Sequence, residues 1–384
     1  MKFLYLLLVF VLGIGLVFPQ EKRPISTAFP FLLLGTDAIA CGKGDLGVAS
    51  TPDVFSQHWN ASKYIFAKEK SAFAMAYAPY LNRAVQDIFI GNLVYYKKTK
   101  RGAWAGSFNY FNIGNVTLTR GFDKDIYILG DFRPSEFTFD VSYSLQLSSH
   151  YAMGITTRYL NSNLRLPIEE SNVARGVAFD ICGFYSSKEH LIGDYFGKYT
   201  WGFQISNIGS KVQYEKLGQT FFLPTNLKLG AGYNLQTNSY NHFQFLLEIN
   251  KLLVPSPAKY GFNDTNGNGI QEPTEPTEIV AGKSPNVDFL QGIFQSFGDA
   301  PNGFSEELQE ISWSLGFEYA YNETLFVRTG YFNQHKNKGD RKYLTLGTGF
   351  RIQSWQIDFS YLFSTAKTNN PMSSSLRIAL QCKL

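Results

Sequence analysis

From about residue 71 to its last residue the chain repeats one pattern: segments of about ten residues in which apolar and polar side chains alternate, separated by turn residues. Phe137, Phe139, Val141, Tyr143 and Leu145 fall on one face and Thr138, Asp140, Ser142 and Ser144 on the other, because successive side chains of a strand point to opposite sides. Trp355, Ile357, Phe359, Tyr361 and Phe363 oppose Gln356, Asp358 and Ser360 in the same way, and Trp201, Phe203 and Ile205 oppose Gly202, Gln204 and Ser206. A helix would need a period near 3.6, which these segments lack. The pattern commits the chain to strands with two unlike faces. About fourteen such segments can be placed, centred on Phe73, Gly91, Ser107, Val141, Ile155, Phe179, Phe203, Leu229, Phe245, Leu315, Val327, Leu346, Phe359 and Ile378.

Composition narrows what those strands build. Of 384 residues only 17% are charged, against about 25% in an average globular chain, and 16% are aromatic. Disorder requires the reverse balance. A helical membrane protein needs runs of about 20 apolar residues, approached here only at the N-terminus. Nucleic acid is an unfit partner, since 35 basic residues face 31 acidic ones. A large soluble β protein and an outer-membrane barrel remain, and connection lengths separate them. Alternate connections, around Ser148, Thr237, Asn322 and Ser354, are short, with a longer one around Gly193; the others, near Asp125, Glu169 and Lys216, are mostly longer, and the largest spans 254–310. Short turns on one side and long loops on the other are the asymmetry of outer-membrane barrels, with the long loops outside. The reading is an all-β, transmembrane antiparallel barrel of about fourteen strands over residues 71–384, its outer wall in contact with outer-membrane lipid and a large extracellular loop at 251–310. The opposite face carries Asp140, Arg158, Asp180, Lys228, Glu248, Glu318, Arg328, Arg351 and Asp358, which should face the lumen and pair there. An internal polar network is the plain reading of these charges and a transport path the sharper one.

Residues 1–20 read as a secretory signal peptide: Lys2, then an uncharged apolar stretch to Phe18. Residues 21–70 do not alternate and carry Pro30, Gly35, Gly42, Gly44 and Gly47; the apolar run 29–34 argues that this segment packs as a plug rather than staying disordered. Its polar-aromatic positions Asp37, Gly44, Asp45, Gln57, His58, Trp59 and Asn60 form the plug motif. The three cysteines, Cys41, Cys182 and Cys382, have no metal-ligand spacing, and Cys41 reads as a small buried residue.

No His, Ser or Cys falls in a catalytic signature, so no catalytic residue and no enzyme activity is assigned. One metal motif stands out. Asp264, Asn266, Asn268 and Glu275 place oxygen donors at positions one, three, five and twelve of a calcium loop, with Gly269 at six. Pro273 and Pro276 forbid the usual exiting helix, and an Asn/Gly-rich loop tip is the alternative; calcium in 264–275 is the only cofactor the sequence suggests. In the same loop Phe289, Leu290, Ile293, Phe294 and Phe297 follow helical spacing. Apolar groups on an outer loop need a cover, either the barrel rim or another protein. Phe289, Ile293, Phe294 and Phe297 are the candidate partner-binding residues.

The ordered motifs Pro30-Phe-Leu-Leu-Leu-Gly-Thr-Asp37, Gly44-Asp-Leu-Gly-Val-Ala49, Ser56-Gln-His-Trp-Asn60, Ile205-Ser-Asn-Ile-Gly-Ser-Lys211, Pro224-Thr-Asn-Leu-Lys-Leu-Gly230, Asn250-Lys-Leu-Leu-Val-Pro255 and Gly292-Ile-Phe-Gln-Ser-Phe297 with Asp299-Ala-Pro301 span nearly the whole mature chain. Together they resemble the PorV family, outer-membrane components of the type IX secretion system within the wider FadL-like barrels. The chain departs from that pattern at Asn60-Ala61, where the family carries Asn-Pro. The resemblance implies a fourteen-stranded barrel with an N-terminal plug in the outer membrane of a Gram-negative bacterium. It implies a non-enzymatic shuttle with three kinds of partner: the C-terminal signal domains of secreted cargo, the outer-membrane translocon, and a surface attachment complex that includes a sortase-like protease. The alternative within the same barrels is a transporter of hydrophobic small molecules.

Overall fold

The computed structural model describes residues 22–80, 87–120, 127–164, 172–216, 218–262, 277–366 and 375–384; the signal segment 1–20 and the 264–275 loop lie outside them. Fourteen strands close into an antiparallel barrel. They are β1 Ser71–Pro79, β2 Phe89–Lys98, β3 Gly102–Asn112, β4 Ser135–Gln146, β5 Tyr151–Asn163, β6 Ala174–Ser186, β7 Tyr195–Gly209, β8 Asn226–Gln236, β9 Asn241–Leu252, β10 Ile311–Tyr321, β11 Leu325–Asn333, β12 Lys342–Ile352, β13 Trp355–Ser364 and β14 Leu376–Lys383. Each pairs with the next in sequence, and β14 returns to β1 with Phe73 opposite Cys382 and Tyr77 opposite Ile378. Closure removes every long sheet edge. All fourteen centres read from the alternation fall inside these strands.

The two faces follow the pattern. In β1 the outward Phe73, Met75 and Tyr77 are exposed while the inward Ala72, Ala74, Ala76 and Ala78 are buried. Small inward residues leave room for the pre-barrel segment, whose Ala38, Ile39 and Tyr64 share a buried cluster with Ala72, Ala74 and Ala76. The short connections 99–101, 147–150, 237–240, 322–324 and 353–354 and the longer 187–194 lie at one end. The long ones lie at the other and carry paired strands of their own: Val116–Arg120 with Tyr127–Phe132, Val212–Gln213 with Thr220–Phe221, and Lys259–Phe262 with Thr277–Ala281.

Charges on the inner face pair across strands. Arg158 of β5 donates to Asp140 of β4 at 2.8 Å and to Asp180 of β6 at 3.0 Å; Arg328 of β11 reaches Glu318 of β10 at 2.5 Å and Asp358 of β13 at 2.7 Å. All six are buried, so each guanidinium offsets the cost of two desolvated carboxylates. The ladder breaks once, in β7. Ile205 pairs with Ile181 and Ile208 with Phe179, so Ser206 and Asn207 both turn inward. Asn207 takes a left-handed φ of 60°, which Asn tolerates better than most residues. Its N–H donates to Asp180 and its side-chain amide to the Pro224 carbonyl, tying the bulge to the Arg158 cluster and to the 210–225 loop.

Candidate functional site

Two features stand apart from the wall: the segment inside the lumen and a pair of helices on the outer face. The luminal segment is built from one-turn helices, α1 Ala38–Cys41 and α2 Ser56–Trp59, joined by tight turns. Asp37 caps α1, its Oδ1 accepting from Ile39 N at 3.0 Å and Ala40 N at 2.7 Å, while its Oδ2 accepts from Trp59 Nε1 at 2.7 Å. Burial, and then the charge of Asp53, push the Asp37 carboxyl up to about 6. Trp59 lies flat over Gly47, where a Cβ would meet the indole at 2.5 Å, and the Lys228 ammonium sits 4.3 Å from its ring. His58 meets Trp59 edge-on at 4.8 Å. The 42–45 turn uses Gly44 at φ 89° and Asp45 at φ 56°, and Asp45 accepts from the Tyr343 hydroxyl of β12.

Bonds from this segment reach strands around the barrel. Glu248 of β9 accepts from Gly47 N and Val48 N at 2.9 and 3.0 Å. Thr345 of β12 donates to Gly42 O, Thr200 of β7 to Ala49 O, and Ser142 of β4 to Gln57 Oε1. Asn60 donates to Val48 O and to Gly183 O of β6. Lys63 is fully buried and donates to Gly47 O at 2.7 Å and Ser50 Oγ at 2.9 Å; burial holds its ammonium below the ordinary lysine value despite Asp53 nearby. All seven residues of the sequence motif therefore lie in the lumen.

The outer site is in the 253–310 loop. Helix α3 Phe289–Gln295 is the one the spacing predicts; α4 Phe304–Gln309 follows. Gly292 lets α3 settle on Phe222 and Pro255, since a Cβ there would come within 2.7 Å of the Phe222 ring. That leaves Phe294 at 77% exposure, with Leu290 and Phe297 at 54% each; α4 adds Phe304 at 76% and Leu308 at 52%. Phe289 and Ile293 are half-buried, so of the four candidate partner residues two form the exposed surface and two its footing. Sequence reading missed Phe304 and Leu308, which their i, i+4 spacing across two first-turn acids could have revealed.

Glu306, Glu307 and Glu310 of this loop are buried and turn inward. Lys251, at the end of β9, bonds Glu310 at 2.7 Å and Glu307 at 2.9 Å; Lys338 bonds Glu306 at 2.7 Å and Glu310 at 2.9 Å; Arg23 reaches Glu306 at 3.4 Å. Glu307 also accepts from Asp299 N and Ala300 N, closing the turn before α4. Buried ion pairs fix geometry more than they add stability. Here they hold five apolar side chains toward water from a cross-braced base.

A family model described as type IX secretion system protein PorV matches residues 18–259. The chain belongs to the PorV family. No curated protein matches it. Among solved structures, the Pseudomonas putida toluene transporter TodX has 11% identity over 92% of this chain and 99% of its own, with a TM-score of 0.51, a likeness of fold alone. The Ralstonia pickettii toluene transporter TbuX has 12% identity, 92% and 100% coverage and a TM-score of 0.48; a Pseudomonas aeruginosa FadL homologue has 11%, 94% and 100%, and 0.42. As a PorV-family barrel, this chain is an outer-membrane component of type IX secretion, crossing the membrane with its strands and carrying its large loops outside.

Proposed function

We propose that the protein is a non-enzymatic shuttle that receives the C-terminal signal domain of exported cargo at the outer-membrane translocon. It then delivers the cargo to a surface attachment complex containing a sortase-like protease. The observation that carries this reading is the exposed apolar surface of Leu290, Phe294, Phe297, Phe304 and Leu308, held on a braced base at the outer face. Covering one such phenylalanine is worth roughly 1.5–3 kcal/mol, so a few suffice to anchor a partner. The luminal segment, residues 22–70, serves as the plug, and its bonds to five strands support a barrel that works by binding at its rim. Purified Phe294→Ser/Phe297→Ser protein should keep its fold but lose co-purifying cargo or translocon. Undiminished co-purification would overturn the reading.

A second reading, transport of a hydrophobic small molecule, rests on one observation: a cavity of about 690 Å3 under the outer loops, lined by Ile25, Phe31, Leu34 and Phe111 with Lys338 and Arg341 at its polar end. A lipid-like ligand recovered after gentle purification, with no protein partner, would favour it.

A further inference from the structure

Positive charge at the periplasmic end is concentrated at one turn. Residues 99–101, between β2 and β3, bring together Lys97, Lys98, Lys100 and Arg101, and Lys70 joins them because Lys98 N donates to Lys70 O at 2.7 Å. The neighbouring acid, Glu69, is taken by Lys383 at 2.6 Å, and the Lys98 ammonium is turned onto the Ala67 carbonyl. Lys70, Lys97, Lys100 and Arg101 are exposed, and none has a carboxylate partner among the described residues. The turns at 147–150, 237–240, 322–324 and 353–354 carry no Lys or Arg, and in 187–194 Lys188 is offset by Glu189 and Asp194.

The cluster borders the lipid-facing wall. Lys97 stands on the outward face of β2, directly opposite Trp104 of β3, and Trp104 lies against Tyr143 at 4.7 Å with over half its surface exposed. Gly102 makes this ledge continuous with the turn: a Cβ there would meet the Tyr143 hydroxyl at 2.7 Å. An aromatic ledge beside lysines that can extend along it is the arrangement found at a membrane–water boundary. A three-residue turn is far smaller than the roughly 800 Å2 that each partner of a stable protein complex contributes.

We propose that this turn binds the phosphate head group of an anionic phospholipid in the periplasmic leaflet. Lys70, Lys97, Lys100 and Arg101 take the phosphate, and Trp104, Tyr95 and Tyr143 cover the adjoining chains. The bound lipid gives the barrel a preferred side.

The test uses the full-length protein in vesicles of phosphatidylethanolamine with a minor share of phosphatidylglycerol, extracted gently, with retained lipid quantified by mass spectrometry. Phosphatidylglycerol should be enriched severalfold over its share in the vesicle. Each neutralised cation should lower that preference, by up to roughly fivefold, so that Lys97→Gln/Lys100→Gln/Arg101→Gln abolishes it. Lys188→Gln/Lys198→Gln, elsewhere on the same rim, should leave it intact. Heat-dependent gel mobility reports folding of each variant. Equal enrichment in the triple variant, or equal loss in the double one, overturns the assignment. So does displacement of the lipid by millimolar inorganic phosphate, which would make this a free-anion site.

Discussion

Replacing Gly330 with alanine tests whether the luminal segment is part of the barrel's structure or a loose insert. Gly330 faces inward from β11, and an added Cβ would lie 2.0 Å from the Lys43 carbonyl carbon and 2.3 Å from Gly44 N. Ordinary contact begins near 3.4 Å, so the 42–45 turn must retreat by about 1.4 Å. What stands in the way is backbone, which cannot rotate aside. The turn has little room to move, since a Cβ at Gly316 of β10 would also come within 2.6 Å of Lys43 O, and Thr345 holds Gly42 O at 3.0 Å. Overpacking of this kind costs roughly 1–3 kcal/mol, and an overlap with backbone belongs at the upper end. Gly91→Ala is the matched control: it points outward from β2 with nothing within 4 Å, and alanine is if anything better than glycine there, by about 0.5–1 kcal/mol. Both proteins should be unfolded in detergent at one heating rate, because barrels often unfold irreversibly and only relative midpoints compare. Gly330→Ala should melt several degrees below wild type and Gly91→Ala at or slightly above it. Equal midpoints for the two would refute the claim that the segment is wedged against this wall.

Three further outcomes follow from the same contacts. Glu248→Ala strips Gly47 N and Val48 N of their acceptor, and at roughly 1–3 kcal/mol for each buried donor it should lower the melting midpoint and speed hydrogen exchange at 47–50. Arg328→Met leaves Glu318 and Asp358 buried without their guanidinium, a loss of about 3–5 kcal/mol, and restoring neutrality with Glu318→Gln/Asp358→Asn should recover part of it. The outer helices should respond to pH in two windows. For Glu306, burial alone would raise the carboxyl, but Lys338, Asn302 N–H and Arg23 outweigh it and hold the group below its usual range. Its contribution is therefore present above about pH 4.5 and lost as pH falls through the lowered value. Asp299 is pushed up from 3.8 to about 6, chiefly by burial, so its contribution is fully present below about pH 3.8 and is lost as pH rises from there through 6. Protection factors across 289–309, with the intrinsic pH dependence of amide exchange divided out, should be highest near pH 4; Asp299→Asn should flatten their fall toward pH 6 and Glu306→Gln their fall at lower pH.

The wall was legible because each strand meets two unlike surroundings, so period-two alternation marks the centre of all fourteen segments, even where β1 alternates only alanine with larger groups. The bulge is equally written in the chain, as an apolar spacing of three between Ile205 and Ile208 where two is the rule, just past the alternation at 201–206. The luminal segment is harder to trace from sequence. Its shape is set by contacts such as Glu248 with Gly47 and Thr345 with Gly42, made across some 200 to 300 residues, and nothing local encodes them. The outer surface was half visible. Helical spacing gave α3, but which of its apolar residues faces water depends on Phe222 and Pro255 beneath Gly292, and on acids that turn inward to Lys251 and Lys338.

The central claim, that the outer helices dock protein, is tested most directly by placing a photo-reactive phenylalanine analogue at position 294 or 304 in living cells. After irradiation the account predicts cross-links to cargo signal domains, to the translocon or to the attachment complex, and none from the same analogue at the lipid-facing Phe359. Cross-links only to lipid or within the chain itself, in cells actively secreting cargo, would contradict it.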